Sequence, residues 1–173
     1  MIVTELAQLT TCTRLAVSTD VKSCGTMCYE VYISTESQED LTTRNSELLR
    51  FKRVADPNTD PAILLLDFPN RWYVGSKSEC SCTFRYLYSI ELGFGEPVDW
   101  YPEDQDEIEA TRELYVTLTF LLSSGYQVDL LDQWHGSPAE AITTLDVSLS
   151  EVPEKAFRLF ENYKFRLNLG RNP

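Results

Sequence analysis

The chain has 173 residues, 43% of them apolar and 24% charged, and its 27 acidic against 15 basic side chains give a formal charge of −12. That length suits one domain of ordinary size, and at roughly 150 residues a compact chain buries about 70% of its unfolded surface, so neither a disulfide nor a metal is needed merely to hold a core. The charge argues against a phosphate-backbone binder, which needs Lys and Arg to displace condensed counterions, and the composition excludes a disordered or fibrous chain.

Residues 1–26 are rich in Thr and Ser, lack any useful periodicity and carry no basic start followed by an apolar run, so they read as a loosely held leader without a secretory signal. After Met27 the alternation of Tyr29, Val31 and Ile33 with Cys28, Glu30 and Tyr32 predicts a strand with two unlike faces. Residues 34–51 supply a Ser/Thr cap region and place Leu41, Asn45, Leu48 and Leu49 at helical spacing, which predicts a short helix. Residues 54–61 form a loop around Pro57 and Pro61, and the apolar run 62–68 fits a short interior strand. Residues 71–92 are rich in aromatic and β-branched side chains and are broken at Gly75-Ser76-Lys77-Ser78, which fits one long bent strand or, the preferred reading, a hairpin.

Pro102 opens the best-marked helix, over 102–123, with acids beside its positive end, an inner stripe of Ile108, Thr111, Tyr115, Leu118 and Leu122, and Gly125 to stop it. Strands are predicted over 126–134 and 143–150, a last helix after Pro153, and an edge strand over 164–169. The expected fold is therefore a single α+β domain over 27–173, with a mixed or antiparallel sheet and about three helices packed mainly on one face. No stretch reaches the ~18–20 apolar residues of a membrane span. The expectation is a cytoplasmic protein whose five cysteines are mostly reduced.

The cysteines are the most informative feature. Cys80 and Cys82 lie two apart in E-C-S-C-T, so on a strand both thiols would face one way with Cα atoms about 6.7 Å apart. That is near the upper limit for a disulfide but comfortable for two thiolates on one ion. If the strand begun by Cys28 neighbours that segment, Cys28, Cys80 and Cys82 become candidate ligands for zinc or another thiophilic metal, or a redox-active cluster, with Cys24 four residues upstream of Cys28. Sulfur separations of about 3.5 to 4 Å would fit tetrahedral ligation. Against this, free Cys is often only a small buried hydrophobe, and C-x2-C spacing is absent.

Other motifs carry less. Val74-Gly75-Ser76-Lys77-Ser78 lacks the first glycine and the following helix of a phosphate loop, so it reads as a turn. His135, the sole histidine, stands at a strand end near Asp129, Asp132 and Ser137, yet no nucleophile elbow exists and a surface or capping role is preferred. Residues 96–150 hold 12 acids and one base, Arg112, while 151–173 hold 3 acids and 5 bases. A solvated acidic face explains this; the alternative is a docking surface for a protein with a basic surface, built from Trp100, Tyr101, Glu103, Asp104 and Glu107. Neither nucleic acid nor membrane is an expected partner.

The segments R-W-Y-V-G-S-K-S-E-C-S-C-T-F-R, P-V-D-W-Y-P-E and T-T-L-D-V-S-L resemble uncharacterised small bacterial proteins over about Met27 to Leu169. The resemblance implies no reaction and points to Met27 as the natural start. Two functions follow from the sequence: a small binding or regulatory module for a protein partner, or a thiol-based metal or redox site on Cys28, Cys80 and Cys82. A hydrolase, kinase or dehydrogenase of familiar type is not expected.

Overall fold

The computed structural model describes residues 28–56, 61–77, 79–87, 93–98 and 102–170; the leader over 1–26 lies outside them, as do Trp100 and Tyr101. Its regular elements are β1 (Tyr29–Thr35), β2 (Leu49–Arg53), β3 (Asn70–Ser76), β4 (Tyr86–Leu87), α1 (Gln105–Ser123), β5 (Val128–Trp134), β6 (Thr143–Ser148), β7 (Leu159–Phe160) and β8 (Tyr163–Asn168). Six strands form one mixed sheet in the order β2-β3-β1-β5-β8-β6, and β4 pairs with β7 in a separate ribbon. All neighbours in the large sheet are antiparallel except β6 and β8.

The alternation in β1 sets the two faces. Ile33 stands opposite Trp72 of β3 and Leu130 of β5, and Leu130 opposite Phe165 of β8, so these side chains share one face with Tyr29, Val31 and Val74. Helix α1 covers that face with Ala110, Leu114, Leu118 and Leu121. Each large apolar side chain buried there contributes roughly 1.5–3 kcal/mol. On the other face, Tyr32 and Leu131 pack under Ala62, Ile63 and Leu66.

The expected α+β class with about three helices needs correction: among the described residues there is one α-helix, and the molecule is mostly sheet. The helix expected over 34–51 is a single 3-10 turn, Leu41–Arg44, followed by β2. Side chains compete with the helix there. Asp40 accepts from the Thr42 N–H, Asn45 Oδ1 accepts from the Phe51 N–H at 2.7 Å, and Ser46 Oγ accepts from the N–H groups of Leu48 and Leu49. The strand expected over 62–68 begins instead as a 3-10 turn, Pro61–Leu65, which buries Ala62 and Ile63 and leaves Leu64 55% exposed. The helix expected after Pro153 stops after one turn, Glu154–Ala156, because the next residues run fully buried through Phe157 to Phe160 and pair as β7.

Two further differences concern strands. Among the described residues the expected hairpin over 71–92 is not seen: β4 pairs in parallel with β7 rather than turning back on β3. The expected edge strand over 164–169 is β8, which lies between β5 and β6. Helix α1 follows the expected segment closely, although its buried face runs through Ala110, Thr111, Leu114, Thr117, Leu118 and Leu121, shifted from the stripe read in the sequence. Among the described residues no helix is long and apolar enough to cross a membrane.

Candidate metal centre

The site begins at Gly75. The chain after β3 folds back so tightly that a Cβ on Gly75 would stand 2.8 Å from the backbone of Glu79. Ser76 closes the loop by donating its N–H to the Cys80 carbonyl at 3.0 Å, and Glu79 completes it in the left-handed region at φ 59°. Gly75 therefore permits the close approach of two chain segments that delivers Cys80.

Residues Ser81–Thr83 then make a 3-10 turn capped by the Cys80 sulfur. The pair was expected to lie on a strand; a turn brings the two thiols together instead. This turn takes over where β3 leaves β1. Ser81, fully buried, accepts from the Val31 N–H at 3.0 Å and donates to the Val74 carbonyl at 2.7 Å. Two residues back along β1, the Tyr29 N–H donates to Cys82 Sγ at 3.4 Å. Ser81 and Cys82 thus supply acceptors that a paired strand would otherwise offer.

The sulfurs of Cys28, Cys80 and Cys82 all lie within 4.8 Å of one another, and each cysteine is half-buried. None of the three is in a disulfide. The Cys80 and Cys82 sulfurs are hydrogen-bonded to each other at 2.9 Å, and the Cys82 N–H donates to Cys80 Sγ at 3.4 Å. Cys80 is drawn down to about 6, chiefly by the Cys82 thiol, with the Cys82 N–H and Cys28 adding to the effect and burial opposing it. Cys82 is pushed up because its hydrogen is held by Cys80, and burial adds to that. The arrangement presents one thiolate and a donating partner at neutral pH, with a third sulfur alongside.

Three cysteines this close can hold a thiophilic metal. The 2.9 Å approach of Cys80 to Cys82 is longer than the ~2.0 Å of a disulfide and shorter than the expected 3.5 to 4 Å between ligating thiolates. Ligation of one ion by both sulfurs would spread them by a side-chain rotation.

A polar patch adjoins the cluster on the face away from α1. Glu30 accepts from His135 Nδ1 at 3.0 Å and from Gln133 Nε2 at 2.8 Å. These residues border a cleft of about 490 Å³ that is also lined by Pro61, Ala62 and Ser137. Sequence reasoning missed this patch and the role of Ser81. The available signal for the patch was the alternation placing Cys28 and Glu30 on one face of β1.

Glu103, Asp104 and Glu107, expected at an acidic docking surface, are engaged within the fold. Glu103 has a side chain only 2% exposed and pairs with Arg85 through contacts of 2.8 and 3.0 Å, while Arg158 lies 3.4 Å away. Both arginines also donate to the Gly95 carbonyl. Asp104 is the N-cap of α1, and Glu107 returns a hydrogen bond to the Asp104 N–H in a capping box. Trp100 and Tyr101, the remaining members of that expected surface, lie outside the described residues. No family model, curated protein or solved structure matches the chain.

Proposed function

We propose that the protein binds a thiophilic metal ion, of which zinc is the simplest case, through the thiolates of Cys28, Cys80 and Cys82. The observation that carries this reading is the gathering of three sulfurs, from chain segments more than fifty residues apart, within 4.8 Å of one another. Their half-burial counts against inert packing, since a cysteine serving only as a small hydrophobe would be wrapped in hydrocarbon. Cys80, at about 6, supplies a thiolate at neutral pH without waiting for metal to displace its proton. Recognition of a basic protein by the start of α1 draws less support, because Glu103 is buried and Asp104 and Glu107 cap the helix.

The test is metal stoichiometry on protein purified under reducing, oxygen-free conditions from zinc-supplemented culture. About one ion per chain is expected, with at least a tenfold loss of affinity in Cys80→Ser and in Cys28→Ser. Absence of stoichiometric zinc, copper or iron from correctly folded protein would remove the proposal.

The 2.9 Å approach of Cys80 to Cys82 favours a second reading, a dithiol oxidised by a hydroperoxide. The Cys80 thiolate would attack the peroxide oxygen, giving a sulfenic acid and the alcohol after proton uptake. The Cys82 thiol would then form the disulfide, with loss of water. Rapid peroxide-driven loss of two titratable thiols from metal-free protein would support it, and unchanged thiol content would remove it.

A further inference from the structure

The metal reading leaves the ion one ligand short, because a structural zinc takes four and the sulfur group supplies three. Resting on that reading, we infer that His135 is the fourth ligand, through Nε2, and that Glu30 is the residue that orients it.

Strand register places the histidine beside the cluster. Tyr29 stands opposite Trp134, and their rings meet edge to face at 4.9 Å on the helix-covered side. One step further the pairing continues, with the His135 N–H donating to the Cys28 carbonyl at 2.8 Å. Alternation then sets Cys28 and His135 across from each other on the opposite face, where directly facing Cβ atoms stand about 4.5–5.5 Å apart. The histidine at the end of β5 and the cysteine at the start of β1 are thus cross-strand neighbours, although 107 positions separate them in sequence.

Hydrogen bonding fixes which nitrogen is available. A carboxylate only accepts, so in the neutral imidazole the 3.0 Å contact from His135 Nδ1 to Glu30 puts the hydrogen on Nδ1 and the lone pair on Nε2. Gln133 Nε2 holds the second Glu30 oxygen at 2.8 Å, so the carboxylate itself is occupied and braced. A carboxylate behind the distal nitrogen of a histidine is the usual support for a metal-bound imidazole.

Room to move is present as well. The His135 side chain is 58% exposed and borders the 490 Å³ cleft. Its ring stands outside the sulfur group, so ligation requires the His135 ring and the Glu30 carboxylate to shift together toward Cys28.

The experiment is zinc X-ray absorption together with competition titration on the full chain, comparing the natural sequence with His135→Asn and Glu30→Gln. Three sulfurs and one imidazole nitrogen are expected for the natural chain. His135→Asn should lose the imidazole scattering and bind zinc at least tenfold more weakly. Glu30→Gln should keep that scattering with an affinity lowered about tenfold. Far-UV circular dichroism checks that both variants fold, which the exposure of His135 favours. If the natural chain binds zinc through sulfurs with no imidazole, whether water or a fourth sulfur completes the set, the inference falls while the three-thiolate reading stands. If the natural chain binds no zinc, the three-thiolate reading falls and takes the inference with it.

Discussion

The two faces of the sheet treat a buried carboxyl group in opposite ways. Asp129 and Asp132 stand three residues apart on β5, both fully buried, one on each face. Asp129, on the side covered by residues 61–68, is surrounded by partners. Ser34 Oγ donates to one oxygen, while the Asp67 N–H at 2.8 Å and Lys164 Nζ at 3.2 Å reach the other. Asp132, on the helix-covered side, has no hydrogen-bond partner at either oxygen among the described residues. One carboxylate anchors a loop to the sheet; the other is buried without a donor among the described residues, and the charge acting on it, that of Glu161, is of the same sign. Burial near a residue of this type is inexpensive only where the opposite charge and donors are supplied.

The sharpest way to break the contrast is to remove the counter-charge from the partnered face. Lys164→Met leaves Asp129 buried without its cation, and the expected loss is about 3–5 kcal/mol in urea denaturation. The Lys164 contact to Asp67 at 2.7 Å contributes less, because Asp67 is half exposed. Adding Asp129→Leu to Lys164→Met should restore much of the loss, since no unpaired charge is then left behind. If Lys164→Met alone were neutral, the distinction between the two faces would collapse.

A smaller effect of opposite sign is expected at Asp132. Replacing it with Val removes an unpartnered polar group, and a gain of about 1–3 kcal/mol is expected. The pH dependence gives an independent reading. Burial, with the negative charge of Glu161 adding to it, holds the Asp132 carboxyl well above its ordinary range. In the unfolded chain it ionises near 3.9. Below that pH the group is protonated in both states and folding carries no ionisation penalty. As pH rises, the unfolded state releases the proton while the folded state keeps it, so stability declines until the folded group also ionises. Relative to Asp132→Asn, the natural chain should therefore lose stability steadily from pH 4 upward. A flat difference between pH 4 and pH 8 would show that Asp132 has a partner after all.

The same distinction explains what could be read from the sequence. Helix α1 was legible because local signals agree: Pro102, early acids, apolar positions at helical spacing and Gly125 all point one way. Strand β1 was legible from its alternation alone. The segment over 34–51 was not, because helical spacing of its leucines was outweighed by Asp40, Asn45 and Ser46, whose side chains capture backbone groups. Nor was the segment after Pro153, where burial of Phe157, Leu159 and Phe160 against the core overrides any helical preference. At the site, Cys28, Cys80 and Cys82 were identifiable by residue type, and their proximity followed from a guess about strand neighbours. The turn that joins Cys80 to Cys82 was hidden, since it depends on Gly75 meeting the Glu79 backbone. Glu103 was misplaced for a related reason: its partners, Arg85 and Arg158, lie 18 and 55 residues away, and no local pattern reports them.

The smallest predicted effect separates capping from long-range charge among the exposed acids of α1. Asp104 accepts from the Asp106 N–H at 2.8 Å, and its own N–H donates to Glu107 in return. Asp104→Ala should cost about 1 kcal/mol, because helix N–H groups lose a side-chain acceptor. Asp106 instead meets the exposed Lys77 at 2.7 Å, and Asp106→Asn should leave the unfolding midpoint nearly unchanged. Salt discriminates between the two causes. Near 1 M salt the Debye length falls to about 3 Å, which silences distant charge but leaves a hydrogen bond in contact. The Asp104→Ala loss should persist under those conditions, and Asp104→Asn, which keeps the accepting oxygen, should recover most of it. A loss that vanishes in salt would mean that the acids at this helix end act through their field, which would return them to a role in attracting a basic partner.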